Sequence, residues 1–299
     1  ISKAQPSAAN SSANKLMADG NVFYKNRQYQ QALNNFNEVV KLAPNDAYAW
    51  FNIGQCYYFT DKYQEAIINY SKALSLNSTY VNGWFQRGLS YNKSGNHVAA
   101  LGDYTRGLAL SPNDAQLYYN RGIAYKDNKQ TDSAIIDYNR AINLNPSYLK
   151  AYMNRSSAYY ALKNYSAALT DIIKVVNLDP SYIEAINNRG LIYTSLNNYE
   201  LAMADYNHII KTDPKYKKVY LDRGILYNKM KQNDLAIIDL NRALNLDPNY
   251  VNALVMRSAI YYDTRNYNLS KLDVEKVLQL SPNHTFATNL LAKINALPK

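Results

Sequence analysis

The sequence predicts an all-α fold built as a solenoid of antiparallel helix pairs, and three observations carry that prediction. The chain of 299 residues repeats itself every 34 residues, eight times over and without an insertion. A period of this size belongs to stacked supersecondary units rather than to one globular core. Small residues recur at two fixed places of each repeat, and proline recurs near its end. Between these markers apolar residues follow helical spacing, as in Trp50, Ile53 and Tyr57 followed by Ala66, Tyr70 and Ala73. No alternating apolar run is long enough to suggest a strand.

Taken in order, residues 1–12 (ISKAQPSAANSS) are small and polar and precede the register. They read as a disordered leader or the remnant of a targeting segment. The chain opens with Ile1, and Ser2-Lys3-Ala4 ahead of Gln5 has the small-x-small form that ends a secretory signal. An arbitrary boundary accounts for it equally well, so an exported and a cytoplasmic location both stay open.

Repeats then cover 13–46, 47–80, 81–114, 115–148, 149–182, 183–216, 217–250 and 251–284. The first helix of each carries a small residue at the eighth place: Gly20, Gly54, Gly88, Gly122, Gly190 and Gly224, with Ser156 and Ser258 in the other two. Glycine inside a helix costs ~1 kcal/mol relative to alanine, so its recurrence needs a compensating contact. Twelve residues on stand Ala32, Ala66, Ala100, Ala134, Ala168, Ala202, Ala236 and Ser270, which predicts small side chains facing one another across the two helices. The row Tyr57, Tyr91, Tyr125, Tyr159, Tyr193, Tyr227 and Tyr261 reads as core packing. Short polar turns such as Asn128-Lys129-Gln130 lead to the second helix. That helix stops at Pro44, Pro112, Pro146, Pro180, Pro214, Pro248 or Pro282, with Ser78 the one break in the row. Residues 285–299 form a capping helix whose apolar face is Phe286, Leu290, Ile294 and Leu297.

Composition narrows the function. A solenoid grows linearly, so length does not count its domains. A single cysteine, Cys56, excludes an intrachain disulfide, and His97, His208 and His284 lie too far apart to form a local ligand set, so no metal is expected. No stretch approaches 18 apolar residues, so no membrane span is expected. Neither a glycine-rich phosphate loop nor a nucleophile–histidine motif is present; the expectation is no enzyme, no catalytic residue and no cofactor.

Comparing the repeats with one another sorts the charges. The seventh place is Arg87, Arg121, Arg155, Arg189, Arg223 and Arg257, and sixteen residues later stand Asp103, Asp137, Asp171, Asp205, Asp239 and Asp273. The first two repeats lack both partners, which predicts a structural ion-pair ladder across the helices of each repeat. A further basic row, Lys72, Arg106, Arg140, Lys174, Arg242 and Lys276 with His208, follows the aspartates by three residues, a spacing suited to local helical pairs.

The set Trp50, Gly54, Tyr57, Ala66, Tyr70 and Ala73, echoed by Trp84, Gly88, Tyr91, Ala100, Tyr104 and Pro112, resembles the tetratricopeptide repeat over residues 13–284. Ile172, Leu240 and Val274 depart from it by replacing the aromatic of the second helix. The resemblance implies a right-handed α-α superhelix whose first helices line a concave groove and whose second helices, with the basic row, face outward. It places the second, fifth, sixth, ninth, twelfth and thirteenth residues of each repeat in that groove. The sixth place reads Asn52, Gln86, Asn120, Asn154, Asn188 and Asp222 over the central repeats. Carboxamides both donate and accept, so this asparagine ladder could grip the backbone of an extended peptide. Tyr48, Phe51, Tyr58, Phe85, Tyr119, Met153 and Tyr160 supply apolar anchors beside it.

Groove lysines (Lys25, Lys93, Lys126, Lys150, Lys218 and Lys229) outnumber Asp127, Glu184, Asp222 and Asp263, favouring a mildly acidic segment. No window completes the family's carboxylate clamp: Asn21 and Asn52 are joined by Met17, Asn82 and Gln86 where basic residues belong, so chaperone tails are not expected. The expected function is a non-catalytic scaffold that binds an extended peptide of a partner protein. Self-assembly into a homo-oligomer through end repeats or groove is the alternative. Nucleic-acid binding, suggested by the net charge of +10, is disfavoured by the outward basic row and the cancelled arginines.

Overall fold

The computed structural model describes residues 8–297. Among these residues it contains α-helices and no strand. The first helices of the eight repeats are α1 (Ala8–Lys25), α3 (Ala47–Tyr58), α5 (Val81–Lys93), α7 (Ala115–Asp127), α9 (Leu149–Ala161), α11 (Ile183–Ser195), α13 (Lys217–Lys229) and α15 (Val251–Asp263). The second helices are α2 (Tyr29–Leu42), α4 (Tyr63–Leu76), α6 (His97–Leu110), α8 (Thr131–Leu144), α10 (Tyr165–Leu178), α12 (Tyr199–Thr212), α14 (Asn233–Leu246) and α16 (Tyr267–Leu280), and α17 (Thr285–Asn295) follows. Of the leader expected over 1–12, residues 1–7, including Ser2 to Ala4, lie outside the described residues, and 8–12 already belong to α1.

Tertiary contacts group the chain into two compact units, Ile1–Ala158 and Tyr159–Lys299. In the first, α3 approaches α5 and α5 approaches α7 across the intervening second helix; in the second, α11 approaches α13 and α13 approaches α15. First helices therefore crowd one side of each unit and second helices splay on the other, which makes the first-helix side concave.

Both kinds of turn have a local cause. At the end of each first helix the fifteenth residue adopts a left-handed backbone, from Arg27 (φ 59°) and Asp61 (58°) to Lys231 (62°) and Arg265 (61°), with Gly95 the one glycine. The next N–H then reaches back five residues, as in Lys62 to Tyr57 O at 2.9 Å, and closes a Schellman turn. At the start of the first helices one of two devices is used. Asp46 and Asp114 cap α3 and α7 directly, accepting from Tyr48 N and Gln116 N. Where a tyrosine occupies that place, an Asn or Asp three residues earlier holds the turn, as Asn77 does for Thr79 N and Asp179 for Ser181 N. The break at Ser78 is harmless because a carbonyl is what the turn supplies: Trp84 Nε1 donates to Ser78 O at 2.9 Å as Trp50 Nε1 does to Pro44 O at 2.8 Å.

The recurring glycine has a different partner from the one expected. A Cβ on Gly54 would stand 2.7 Å from the Tyr70 ring, and one on Gly122 would stand 2.6 Å from Tyr138. Gly20, Gly88 and Gly190 are opposed in the same way by Phe36, Tyr104 and Tyr206. In these five repeats the glycine thus makes room for an aromatic sixteen residues on; at Gly224, which faces Leu240, the alanine expected twelve residues on is also close, with Ala236 O at 3.3 Å. Those rings, with no exposed surface at Phe36, Tyr70, Tyr104, Tyr138 and Tyr206, are the true core row. The tyrosines expected in the core are only half-buried. They pack at the edge of the core, as Tyr57 and Tyr91 do, and where the repeat carries the arginine they also cover it: the guanidinium of Arg121 lies 5.8 Å from the Tyr125 ring and that of Arg87 lies 5.8 Å from Tyr91.

Arg87, Arg121, Arg189, Arg223 and Arg257 also grip a carboxylate with both edges of the fork. Arg87 Nε and Nη2 donate to Asp103 at 2.8 and 2.7 Å, Arg121 to Asp137 at 2.7 and 2.8 Å, and Arg189 to Asp205 at 2.9 and 2.6 Å. Arg223 and Arg257 hold Asp239 and Asp273 in the same geometry. The remaining nitrogen reaches the preceding repeat: Ser71 from Arg87, Thr105 from Arg121, Asn139 from Arg155, Asn207 from Arg223 and Asn241 from Arg257. Arg155 and Asp171 fall in different units. With the carboxylates so occupied, the local pairs expected for Arg106, Arg140, Arg242 and Lys276 do not form among the described residues. Arg106, Arg140 and Arg242 are exposed on the second helices.

The last helix buries Ala287, Leu290 and Ile294 on α16, whereas Phe286 is exposed. His284 Nδ1 accepts from Ala287 N and sets the phase of the helix, which puts Ala287 rather than Phe286 on the inner face.

Candidate functional site

Residues at the second, fifth, sixth, ninth, twelfth and thirteenth places share one side of each first helix by helical spacing. In the first unit, Tyr48 is 48% exposed, with its ring stacked 6.3 Å from Phe51. Phe51 itself is buried against Tyr80 at 4.8 Å and Tyr70 at 5.4 Å, so it is core and not an anchor. Phe85 and Tyr119 are half-buried, with one side toward Tyr104 at 6.2 Å and Tyr138 at 6.1 Å. Tyr58 sits between Phe59 and Tyr63, and Met153 is half-buried. In the second unit Tyr160 is half-buried, its hydroxyl 2.9 Å from Ser195 Oγ.

The ladder of sixth-place residues is not uniform. Asn52 is buried, with Nδ2 3.5 Å from Asn21 Oδ1 and 3.6 Å from Met17 Sδ. Gln86, Asn120, Asn154 and Asn188 are half-exposed. Asn120 Nδ2 donates back to Gln116 O at 2.8 Å, and Asn154 Nδ2 donates to Tyr119 Oη at 2.9 Å. Asn188 Oδ1 accepts from Lys218 Nζ at 3.2 Å. Asp222 is buried and accepts from Asn187 Nδ2 at 2.6 Å. Asn52 and Asp222 therefore present little to a ligand, and four carboxamides remain available.

Sequence reasoning missed Asn187, whose amide is wholly buried with Oδ1 lacking a partner, because a fifth-place residue is apolar in the repeats around it. Burial also governs two titratable groups. It pushes the Cys56 thiol up to about 12, which leaves it an inert packing residue. It raises the Asp222 carboxyl above its usual 3.8, against the opposing pull of the Asn187 hydrogen bond and the Lys218 charge. The folded protein thus holds that proton more tightly than the unfolded chain, and stability falls as pH rises through the folded pKa. Asp222→Asn, which installs the residue found at this place in the three preceding repeats, is expected to raise the melting temperature at neutral pH. The gain should shrink toward pH 3; an unchanged or lower value at neutral pH contradicts this account.

Residues 17–81, 115–148, 149–182, 183–216, 218–250 and 251–284 match the family described as tetratricopeptide repeat, and 88–129 match one described as TPR repeat. Among solved structures, a tetratricopeptide repeat protein from Parabacteroides merdae is 21% identical, with a TM-score of 0.74 covering 83% of this chain and 98% of that one. The C-terminal part of a TPR repeat-containing protein from Cytophaga hutchinsonii is 20% identical, with a TM-score of 0.59 over 92% and 99%. MamA from Desulfovibrio magneticus is 22% identical, with a TM-score of 0.56 over 58% and 99%. At these identities the likeness is one of fold. No curated protein matches the sequence. The family matches run through nearly all of the helix pairs described above and carry the general role of a protein–protein interaction scaffold. The chain belongs to the tetratricopeptide repeat family.

Proposed function

We propose that this chain is a non-catalytic scaffold that holds an extended segment of a partner protein against the concave side of its first helices. The half-exposed carboxamides Gln86, Asn120, Asn154 and Asn188, recurring at one place of successive repeats beside half-exposed aromatics, carry this reading. Each amide has two donors and two lone pairs, and the internal bonds of Asn120, Asn154 and Asn188 use one of these each. The rest can serve a peptide backbone whatever its sequence. In the first unit Lys25, Lys93 and Lys150 face Asp127 alone, which already has Lys126 at 3.8 Å, so a mildly acidic segment is favoured.

Replacing Asn120, Asn154 and Asn188 together by alanine removes bonds worth ~0.5–1.5 kcal/mol each. Because these amides already serve internal partners, the low end applies, and captured partners are expected to bind about tenfold more weakly. Undiminished capture by the triple variant ends the ladder reading.

Exposed apolar residues on the second helices, Ile68, Ile136, Ile238 and Leu272 among them, with Phe286 on α17, favour a second reading, self-assembly, with the last repeat as its end surface. A particle mass that grows with concentration in light scattering, and reverts with Leu272→Glu, is its expected sign. A constant monomer mass removes it.

A further inference from the structure

The second repeat departs from its seven copies at both ends of the concave side of α3. At the thirteenth place the other repeats carry lysine three times, aspartate twice, and alanine and serine once each, whereas this one carries Phe59. At the second place the others carry asparagine three times, lysine twice, glutamine and glutamate, whereas this one carries Tyr48. Packing of the repeat therefore asks for an aromatic at neither place. Both rings stay open, Tyr48 at 48% and Phe59 at 49%. Phe59 is stacked on Tyr29 at 5.6 Å, with Tyr24 and Tyr58 edge-on at 6.0 and 5.4 Å, so three rings hold it in one orientation while about half of its surface stays open.

Charge completes the pattern. Lys25 and Lys93 occupy the thirteenth place in the repeats before and after, one first helix to either side of Phe59, and neither forms an ion pair among the described residues. The neighbours of Tyr48 at its own place, Asn14 and Asn82, are neutral. Eleven residues of helix separate the two rings, a rise of ~16 Å. An extended chain covers that span in about five residues.

We propose that repeats 1 to 3 form a specific seat for an acidic segment with two apolar anchors about five residues apart. One anchor lies on Tyr48, and the other lies on Phe59 with acidic residues beside it facing Lys25 and Lys93. This rests on the concave-side reading above and gives the partner its chemistry.

The test is selection of a random twelve-residue peptide display library on the full chain. Enriched peptides should share two aromatic or large aliphatic residues four to six apart, with Asp or Glu next to one of them. They should bind Phe59→Lys and Tyr48→Asn about tenfold or more weakly, as loss of a ring anchor does at an interface. Both variants carry residues that other repeats use at the same places, so melting curves like the parent's are expected. Should Phe59→Lys fail to fold, the exposed pair Lys25→Glu with Lys93→Glu serves instead; it should weaken the same peptides and abolish their salt dependence. Peptides without the motif, or bound equally by these variants but weakened by the triple asparagine variant, overturn this seat and leave the concave-side reading standing. Peptides indifferent to every variant, or no enrichment, overturn both.

Discussion

Replacing Arg121 by isoleucine is expected to cost about 3–5 kcal/mol of stability, the range for breaking a buried ion pair from one side. The Asp137 side chain is 4% exposed and holds two guanidinium bonds, at 2.7 and 2.8 Å. Without them its carboxylate is left charged and dry. Losing Asp137 instead should cost less, because the Arg121 side chain is 17% exposed and keeps Thr105 and the rings of Tyr118 and Tyr125. The second repeat shows how the cost can be avoided: it carries Ile53, which is buried, with Asn69, whose Nδ2 turns back to Glu65 O at 2.8 Å. Arg121→Ile combined with Asp137→Asn should therefore recover most of the loss. Denaturant midpoints of the two singles and the double decide it. Additive losses would mean that the pair is not coupled, and a change in peptide binding without loss of stability would give the arginines a role other than holding repeats together.

Superimposing the eight copies made the period, the helix pairs, the proline stops and the arginine–aspartate spacing legible, because each rests on backbone rules or on charges that appear and vanish together. The left-handed residue of the first turn was not legible. Lysine, arginine and aspartate stand there in six of eight repeats, and only Gly95 and Asn197 hint at it. The i to i−5 closure of the turn imposes that conformation whatever the side chain. Exposure of the sixth place was equally hidden. Asn52 and Asn120 have the same residue type at the same place, yet the first lies buried near Met17 and Asn21 while the second is half-open. Neighbouring repeats decide such differences. Tyr91 and its later copies are half-buried for another reason: an aromatic at helical spacing signals a covered surface, and here part of what it covers is arginine.

The glycine row held a signal that was present in the sequence and not read. Both repeats with serine at the eighth place, Ser156 and Ser258, have Ile172 and Val274 where five others have a ring, and every ring is opposed by a glycine. In the structure the reason is distance. A Cβ on Gly122 would meet Tyr138 Cε1 at 2.6 Å, whereas on Gly224 the nearest atom is Leu240 Cγ at 3.2 Å. Gly122→Ser is thus expected to cost about 2–3 kcal/mol, toward the upper part of the overpacking range, because the Tyr138 ring is fully buried and has nowhere to turn. Gly224→Ser should cost less, since the leucine branch can shift by a few tenths of an ångström and the fixed Ala236 O stands no nearer than 3.3 Å. Tyr138→Ile alone opens a cavity, but on the Gly122→Ser background it makes room for the new side chain. It also removes a buried hydroxyl that lacks a hydrogen-bond partner. The double variant should therefore be more stable than the sum of the singles predicts by at least ~1 kcal/mol, measured as the coupling energy of a double-mutant cycle in urea. A coupling near zero, or equal costs for serine at positions 122 and 224, would return the glycine to the role first expected of it, close packing against the small residue twelve positions on.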